Sequence, residues 1–513
     1  MHRSRWRREE TRPVGPARPR GPGASRRPYS KTRALGVSEG AGTSGTAGIL
    51  WLVEGRESRA LEVTLRVMRD GRFVTVEVTA DGAGLVSHAG TALLGQVADT
   101  VGLTSALSTR LAGVKRRCRG HDPGWVIRDL AVMLADGGEC VSDLGAVREQ
   151  DALFGAVASD STAFRTIAKI ATEPRMLDAL RSAHAIARER FWELSGAPAR
   201  LTIDVDATLI TAHSEKEKAA GNYKHGYGFH PLGGYTDETR EALAMLLRPG
   251  NAGSNTAADH VTVIDRSLAQ IPEQQLETLE ILVRADSAGA THATADHCRQ
   301  CDLRFSFGYE LTETVRAAIL KTPDRAWIAA LDQDGSERDN GQVVELTDRV
   351  EVSCWPKGSR VIVRRERPHP GAQLSFTDHD GYRFQAILTD QTETHIAIVE
   401  RRHRQRARVE DRIRDDKDTG LAKLPFKAFA LNEVWVEIVM LAHDLIIWTQ
   451  ALALDGELAK AEPKRLRYRL LHVAARLAFS GRRAKLHLQD TWPWTEALKA
   501  AFERLKMLPA AAG

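Results

Sequence analysis

The chain is poor in most of the features that would assign it to a specialised class. Only five cysteines occur in 513 residues: Cys118, Cys140, Cys298, Cys301 and Cys354. So small and odd a number excludes a disulfide framework and suits a reducing compartment. Aromatic residues make up 6%, which argues against broad stacking platforms. No run of about 18 uncharged apolar residues is present. The most apolar stretch, Val434 to Leu454, is interrupted by Glu437, His443, Asp444 and Gln450. The start of the chain is basic but lacks the apolar core of a secretory signal. The expectation is a soluble cytoplasmic protein with no membrane partner.

What the chain does have is an ordinary globular balance, with 42% hydrophobic and 27% charged residues. Its length exceeds one ordinary domain and is ample for a sizeable core without metals or disulfides. The net charge of +5 is unevenly placed. Eleven Lys and Arg lie within residues 1–33 against Glu9 and Glu10, and the remainder carries 61 basic and 65 acidic residues. The basic character is therefore a tail on a nearly neutral body.

Periodicity divides the chain into five regions. Residues 1–55 are rich in Arg, Pro, Gly and Ser and read as a disordered basic extension. Residues 56–195 contain a hairpin signal, Ala60–Val67 and Arg72–Val78 around Asp70-Gly71. Helical patterns follow, with Ser142 and Ser161 placed to cap two of them. The resulting helical region suits a helix-turn-helix-like module or any small bundle. Residues 196–325 alternate apolar runs (Leu201–Leu209, Leu279–Val283, Leu303–Phe307) with helical segments, which predicts an α/β sheet. Residues 326–398 carry many short β-like runs, including Val350–Cys354 and Gln373–Thr377, and read as an all-β insertion. Residues 399–513 read as helical almost to the end. Within them Lys464, Arg465, Arg467, Arg469, Arg476, Arg482, Arg483 and Lys485 make a basic series, either a solvated face or a phosphate track.

Three acidic positions stand out. Asp204 and Asp206 share one face of a strand, because strand side chains alternate. Asp286 ends a second strand-like run, where open α/β sheets keep their ligands. Glu410 and Lys417, seven apart on a helix, share a side. Carboxylates converging from two strands and a helix suit two Mg²⁺ ions for in-line attack on a phosphodiester. The Asp204-Val205-Asp206 string also fits a haloacid-dehalogenase-type phosphatase, with Asp204 as nucleophile and Asp206 as acid/base. That chemistry needs a later pair of metal-binding aspartates, and Asp286 has no second Asp four residues on. Cys298 and Cys301, with His292 and His297 nearby, have zinc-like types without a second Cys pair, so buried or incidental thiols are expected.

Arg406, Glu410 and Lys417, spaced by three and six residues, resemble the C-terminal signature of DDE insertion-sequence transposases of the insertion-sequence 4 group. The tyrosine that normally precedes the arginine by three positions is His403 here, a departure at a phosphate contact. The closest resemblance is to the insertion-sequence 1380 family. It rests on Asp204-Val205-Asp206-Ala207-Thr208-Leu209, Gly228-Phe229-His230-Pro231-Leu232, Leu247-Arg248-Pro249-Gly250-Asn251-Ala252, Val283-Arg284-Ala285-Asp286-Ser287, Lys423-Leu424-Pro425-Phe426 and Ala135-Asp136-Gly137-Gly138.

The resemblance implies a ribonuclease H-like α/β core with a β-rich insertion before the Glu-bearing helix, flanked by an N-terminal helical domain and C-terminal helices. Eighty residues separate Asp206 from Asp286, and 124 separate Asp286 from Glu410, enough for the insertion. It implies catalytic and metal-holding roles for Asp206, Asp286 and Glu410 with two Mg²⁺ ions, for which Mn²⁺ can substitute. Asp204 remains the alternative first acid. Arg406, Lys417 and His403 would meet DNA phosphates, Trp355 would stack on a flipped base, and Arg284 would support Asp286. Partners are double-stranded DNA, at element ends and target, and a second copy of the chain. The location is bacterial and nucleoid-associated. A catalytically silent DNA-binding relic would share these motifs.

Overall fold

The computed structural model describes residues 63–114, 120–368, 371 and 378–509. The predicted extension 1–55 and the β-like run 373–377 lie outside these residues. The chain divides into two compact units, 1–79 and 80–513. In the first, β1 (Val63–Arg69) and β2 (Arg72–Val78) pair antiparallel around Asp70 and Gly71. Both turn residues have positive φ, 50° and 76°, which is why an Asp-Gly pair closes this hairpin. The hairpin and the following helices, read from sequence as one region 56–195, thus belong to different units.

The second unit opens with a short strand, β3 (Leu85–Val86), and, among the described residues, five helices of eight residues or more: α1 (Ala92–Thr100), α2 (Leu103–Arg110), α3 (Pro123–Ala135), α4 (Asp160–Thr172) and α5 (Pro174–Ser195). Pro123 and Pro174 sit in first turns, where a missing N–H costs nothing. Asp122 caps α3, accepting from the backbone N–H groups of Gly124 and Trp125 at 2.7 and 3.2 Å. The serines expected as caps do not serve. Ser161 lies inside α4, and Asp143, not Ser142, takes up the free N–H groups of Glu139 and Cys140.

The sheet follows: β4 (Leu201–Ala207), β5 (Leu232–Thr236), β6 (Ala242–Leu246), then helix α6 (Ala257–Leu268), β7 (Ile281–Ala285), helix α7 (His292–Gln300) and β8 (Arg304–Tyr309). Four more strands extend it: β9 (Ile328–Leu331), β10 (Glu337–Glu345), β11 (Arg360–Glu366) and β12 (Arg383–Thr389). Among the described residues the order is β9-β10-β11-β12-β8-β7-β4-β5-β6. Strands β4, β7 and β8 run parallel, and the rest pair antiparallel. The region expected to be a separate all-β insertion therefore continues the central sheet, because β12 pairs directly with β8 from Ser306↔Thr389 to Tyr309↔Ala386. Val350–Cys354 forms no strand.

Helices α8 (Ile396–Arg404) and α9 (Val409–Asp416) come next, then α10 (Phe429–Ala453). The C-terminal part is not all helical. Strands β13 (Ala475–Ser480) and β14 (Arg483–Leu488) form a hairpin that pairs with β3, before α11 (Thr495–Met507). Arg476, Arg483 and Lys485 are strand residues, and the turn at Gly481 (φ 60°) sets the hairpin. Residues from Val86 to Leu505 contribute to one hydrophobic core, so helices and sheet form one body.

Helix α10 is long and apolar enough to cross a membrane, but its most apolar stretch is 89% buried among the other elements. Its polar side chains explain why it belongs there. Asp444 accepts from Arg188 of α5 at 2.5 Å, lies 2.7 Å from His184 and receives the N–H of Ala242 at 2.8 Å. Arg188 also donates to Glu241 at 3.0 Å, whose oxygens accept the indole N–H groups of Trp192 and Trp448. All of these side chains are buried. Removing one partner from such a network strands a buried charge at about 3–5 kcal/mol. Arg188→Met is accordingly expected to lose about that much stability in urea unfolding. A loss below about 1 kcal/mol would contradict the network's role.

Candidate active site

Asp206 lies near the C-terminal end of β4, and Asp286 immediately follows β7. The two strands are parallel neighbours whose last pair is Ala285↔Val205, so the next residues, 286 and 206, emerge in one row at one sheet edge. Asp286 accepts the Ala288 N–H at 2.9 Å, which folds its loop into a tight turn. Gly308 of β8 makes room for that loop: a Cβ there would stand 2.8 Å from the Ser287 nitrogen. Glu410 is exposed in the first turn of α9.

The last turn of α8 and the segment that joins it to α9 are stitched across three adjacent strands. The Arg402 carbonyl accepts from Arg284 of β7, His403 Nδ1 lies 3.0 Å from Ser306 Oγ of β8, and Arg406 reaches Asp206 of β4 at 3.3 Å. These three bonds set Glu410 four residues beyond the last anchor.

Electrostatics tie the acids together. Burial raises the Asp206 carboxyl to about 6; Arg406 opposes this, and the nearby charges of Asp286 and Glu410 add to the rise. All three acids therefore influence one place. Their oxygens do not all approach within 4.8 Å of one another among the described residues, unlike two other clusters. Repulsion of this kind is what a bound divalent cation relieves, and three carboxylates supply the hard oxygen ligands that Mg²⁺ or Mn²⁺ takes. The donor set fits the metal.

Asp204 sits differently. It is buried in a bidentate ion pair with Arg284, at 2.7 and 2.6 Å. Arg284 also meets Asp237 at 3.0 Å. Burial works against the guanidinium charge, but these two carboxylates more than offset it. Buried and with both oxygens engaged by Arg284, Asp204 is poorly placed to be the exposed nucleophile that a phosphatase would need. Arg284 supports Asp204 and the α8 carbonyl rather than Asp286.

A cleft of about 830 Å³ opens beside Asp286, lined by Tyr309, Arg316, Arg364, His403 and Arg406 among others. Burial pushes the His403 imidazole down to about 3, and Arg406 and Arg284 add to the effect. Held neutral and turned to Ser306, it lacks the charge for an ionic phosphate contact. Trp355 is half-buried, with the His292 ring 4.0 Å away at a 34° tilt and Tyr309 edge-on at 6.0 Å. That face of the indole is already covered.

Lys417 has no carboxylate partner among the described residues. Burial lowers its pKa, as does Lys224 close by. Two neighbouring ammonium groups suit an anion. Lys224 was not singled out from sequence, and only its position in the polar Asn222–Gly226 turn, where Asn222 accepts from the N–H groups of Lys224 and Gly226, gives it a fixed place.

The family Transposase DDE domain group 1 matches residues 69–510. The chain belongs to this family, and membership implies DNA binding, phosphodiester cleavage or transesterification on DNA, and use of divalent metal ions. No curated protein matches the chain. Among solved structures, it is similar to the piggyBac transposase in its cryo-EM synaptic complex with hairpin DNA, at 10% identity and a TM-score of 0.38. That similarity covers 75% of this chain and 80% of the other.

The sign of the Asp206 shift gives a test. Its folded pKa of about 6 lies above the ordinary 3.8, so ionised Asp206 opposes folding above pH 6, and this cost disappears as pH falls toward 4. In metal-free buffer Asp206→Asn should be more stable than wild type at pH 8 by roughly 3 kcal/mol, at about 1.4 kcal/mol per pKa unit. The gain should shrink steadily below pH 6 in urea unfolding with chelator. Equal destabilisation at both ends of the range would contradict the described electrostatics.

Proposed function

We propose that the chain is the transposase of a bacterial insertion sequence, of the insertion-sequence 1380 type, that cuts and rejoins DNA at its element's terminal inverted repeats. The observation that carries this reading is the shared electrostatic field of Asp206, Asp286 and Glu410, placed at two strand ends and a helix start. The order β6-β5-β4-β7-β8, with β4 and β5 antiparallel and β4, β7 and β8 parallel, supports a ribonuclease H-like core. Strands β9 to β12 then form the β-rich extension between the second and third acids, and the helices before β4 carry end recognition.

Asp206, Asp286 and Glu410 would hold two Mg²⁺ ions, or Mn²⁺. When bound, such a pair lowers the pKa of an attacking hydroxyl and stabilises the leaving oxygen of an in-line displacement. The chain's own residues supply the rest. Arg406 holds the Asp206 carboxylate and adds positive charge beside the three acids. Lys417 and Lys224 grip backbone phosphates, positioning DNA without reading bases. His403 contributes by anchoring the Glu-bearing segment through Ser306. Trp355 would need to leave His292 to stack on a base. Asp204 keeps Arg284 in place. A second copy of the chain is needed to hold two element ends together.

With a supercoiled plasmid carrying the element's ends and Mg²⁺, wild type is expected to cleave at those ends. Glu410→Gln should abolish cleavage while binding the same DNA. Cleavage by Glu410→Gln would sink the acid-triad reading, and end binding without cleavage by wild type would indicate the silent relic. Lys224→Ala and Lys417→Ala should each weaken end binding evenly across sequences and reduce the salt dependence by about one phosphate contact. An unchanged salt slope in both would exclude the lysine pair as a phosphate site.

A further inference from the structure

A second group of donors lies away from the three acids. Asp265 of α6, His297 of α7 and Cys301, which ends α7, converge. His297 and Cys301 are four apart and so share one helix face. The Cys301 backbone N–H donates to the His297 carbonyl at 3.0 Å, which fixes that spacing. His297 Nε2 lies 2.7 Å from Asp265 Oδ1 and 3.7 Å from Cys301 Sγ.

Both neighbours address the same ring nitrogen, and this decides between two chemistries. A nucleophilic cysteine with a histidine base needs the carboxylate on the other nitrogen, to orient the ring and support its charge. Here the carboxylate occupies the very nitrogen that would take the thiol proton. Burial also raises the Cys301 pKa, with Asp265 contributing, which is opposite to an activated thiolate.

A shared cation satisfies the same geometry. With Zn–S near about 2.3 Å and Zn–N near about 2.1 Å, tetrahedral donors stand about 3.6 Å apart, against the observed 3.7 Å. Asp265 must swing outward by about 0.7 Å to meet the same ion at ordinary Zn–O length. Its side chain is 54% exposed and free to do so. Sulphur, nitrogen and oxygen together favour Zn²⁺ over the hard ions that suit three carboxylates.

We propose that Asp265, His297 and Cys301 form a Zn²⁺ site, completed by water, that clips α7 to α6. Binding releases the Cys301 thiol proton to solvent, while the ring hydrogen of neutral His297 moves from Nε2 to Nδ1 and frees Nε2 for the ion. The clip acts on the helix that leads away from the Asp286 loop. Gly289 of that loop lies against His260 of α6, where an added Cβ would stand 3.5 Å from the His260 ring. Loading therefore stiffens the support of that loop from outside the acid cluster.

The test uses the full-length protein, reduced and metal-stripped, titrated with Co²⁺ as the spectroscopic stand-in. Wild type and Glu410→Gln should both develop the near-ultraviolet charge-transfer band that only a thiolate ligand gives, saturating at one ion. Cys301→Ser should lose the band, whereas Cys140→Ser should keep it. Asp265→Ala should retain the band with affinity reduced about tenfold or more. Zn²⁺ should raise the melting temperature of wild type and Glu410→Gln but not of Cys301→Ser. Wild type without a thiolate band would reduce the cluster to a surface ion pair, and a band that persists in Cys301→Ser would place the ion elsewhere. Either result overturns the proposal, and neither bears on the acid triad, since Glu410→Gln is read in the same experiment.

Discussion

Arg284 is the constraint on which the geometry of the acid cluster depends. Its guanidinium is buried and must be neutralised where it stands, because an uncompensated charge there would cost several kcal/mol. Asp204 meets it in two bonds, Asp237 in a third and the Arg402 carbonyl in another. Each partner comes from a different element: β4, the turn after β5, and α8. One side chain thus joins the strand bearing Asp206, its own strand leading to Asp286, and the helix leading to Glu410. His403–Ser306 and Arg406–Asp206 repeat the same connection on either side.

This arrangement separates two roles that adjacent carboxylates commonly share. Asp204 and Asp206 lie two residues apart on one strand face, yet one is spent on holding the scaffold and the other remains near water beside two more acids. The second role is costly for folding itself. Asp206 is raised to about 6 by burial and like charges, a cost that proposed divalent ions would turn into binding energy. The parallel pair β4–β7 brings the carboxylates to one edge, and Gly308 allows the Asp286 loop to lie against β8.

Much of this was legible in the sequence, for definite physical reasons. Strand alternation put Asp204 and Asp206 on one face, and the Asp-Gly pair marked its hairpin, because both signals are local. The motifs around Asp206, Asp286 and Glu410 pointed to a DDE transposase, the class to which the matched family belongs. What escaped was non-local. Strands β9 to β12 read as a separate β unit, since no local pattern tells a strand that extends a sheet from one that begins another. The hairpin of β13 and β14 lies in a basic stretch whose pattern reads as helix. The division of labour between Asp204 and Asp206 depends on Arg284, eighty residues away. Asp265 joins His297 and Cys301 only through helix packing, so the cysteine pair alone gave no reason to expect a site.

The central claim is that Asp206, Asp286 and Glu410 form one divalent-metal site while Asp204 stays with Arg284. Crystals of the full-length protein soaked in Mn²⁺ and measured at the manganese edge address it directly. The account predicts anomalous density bounded by carboxylate oxygens of Asp206, Asp286 and Glu410, with the Asp204–Arg284 pair intact beneath it. Density bound to Asp204 with Arg284 displaced, or no manganese between the three acids at saturating soak, would contradict it.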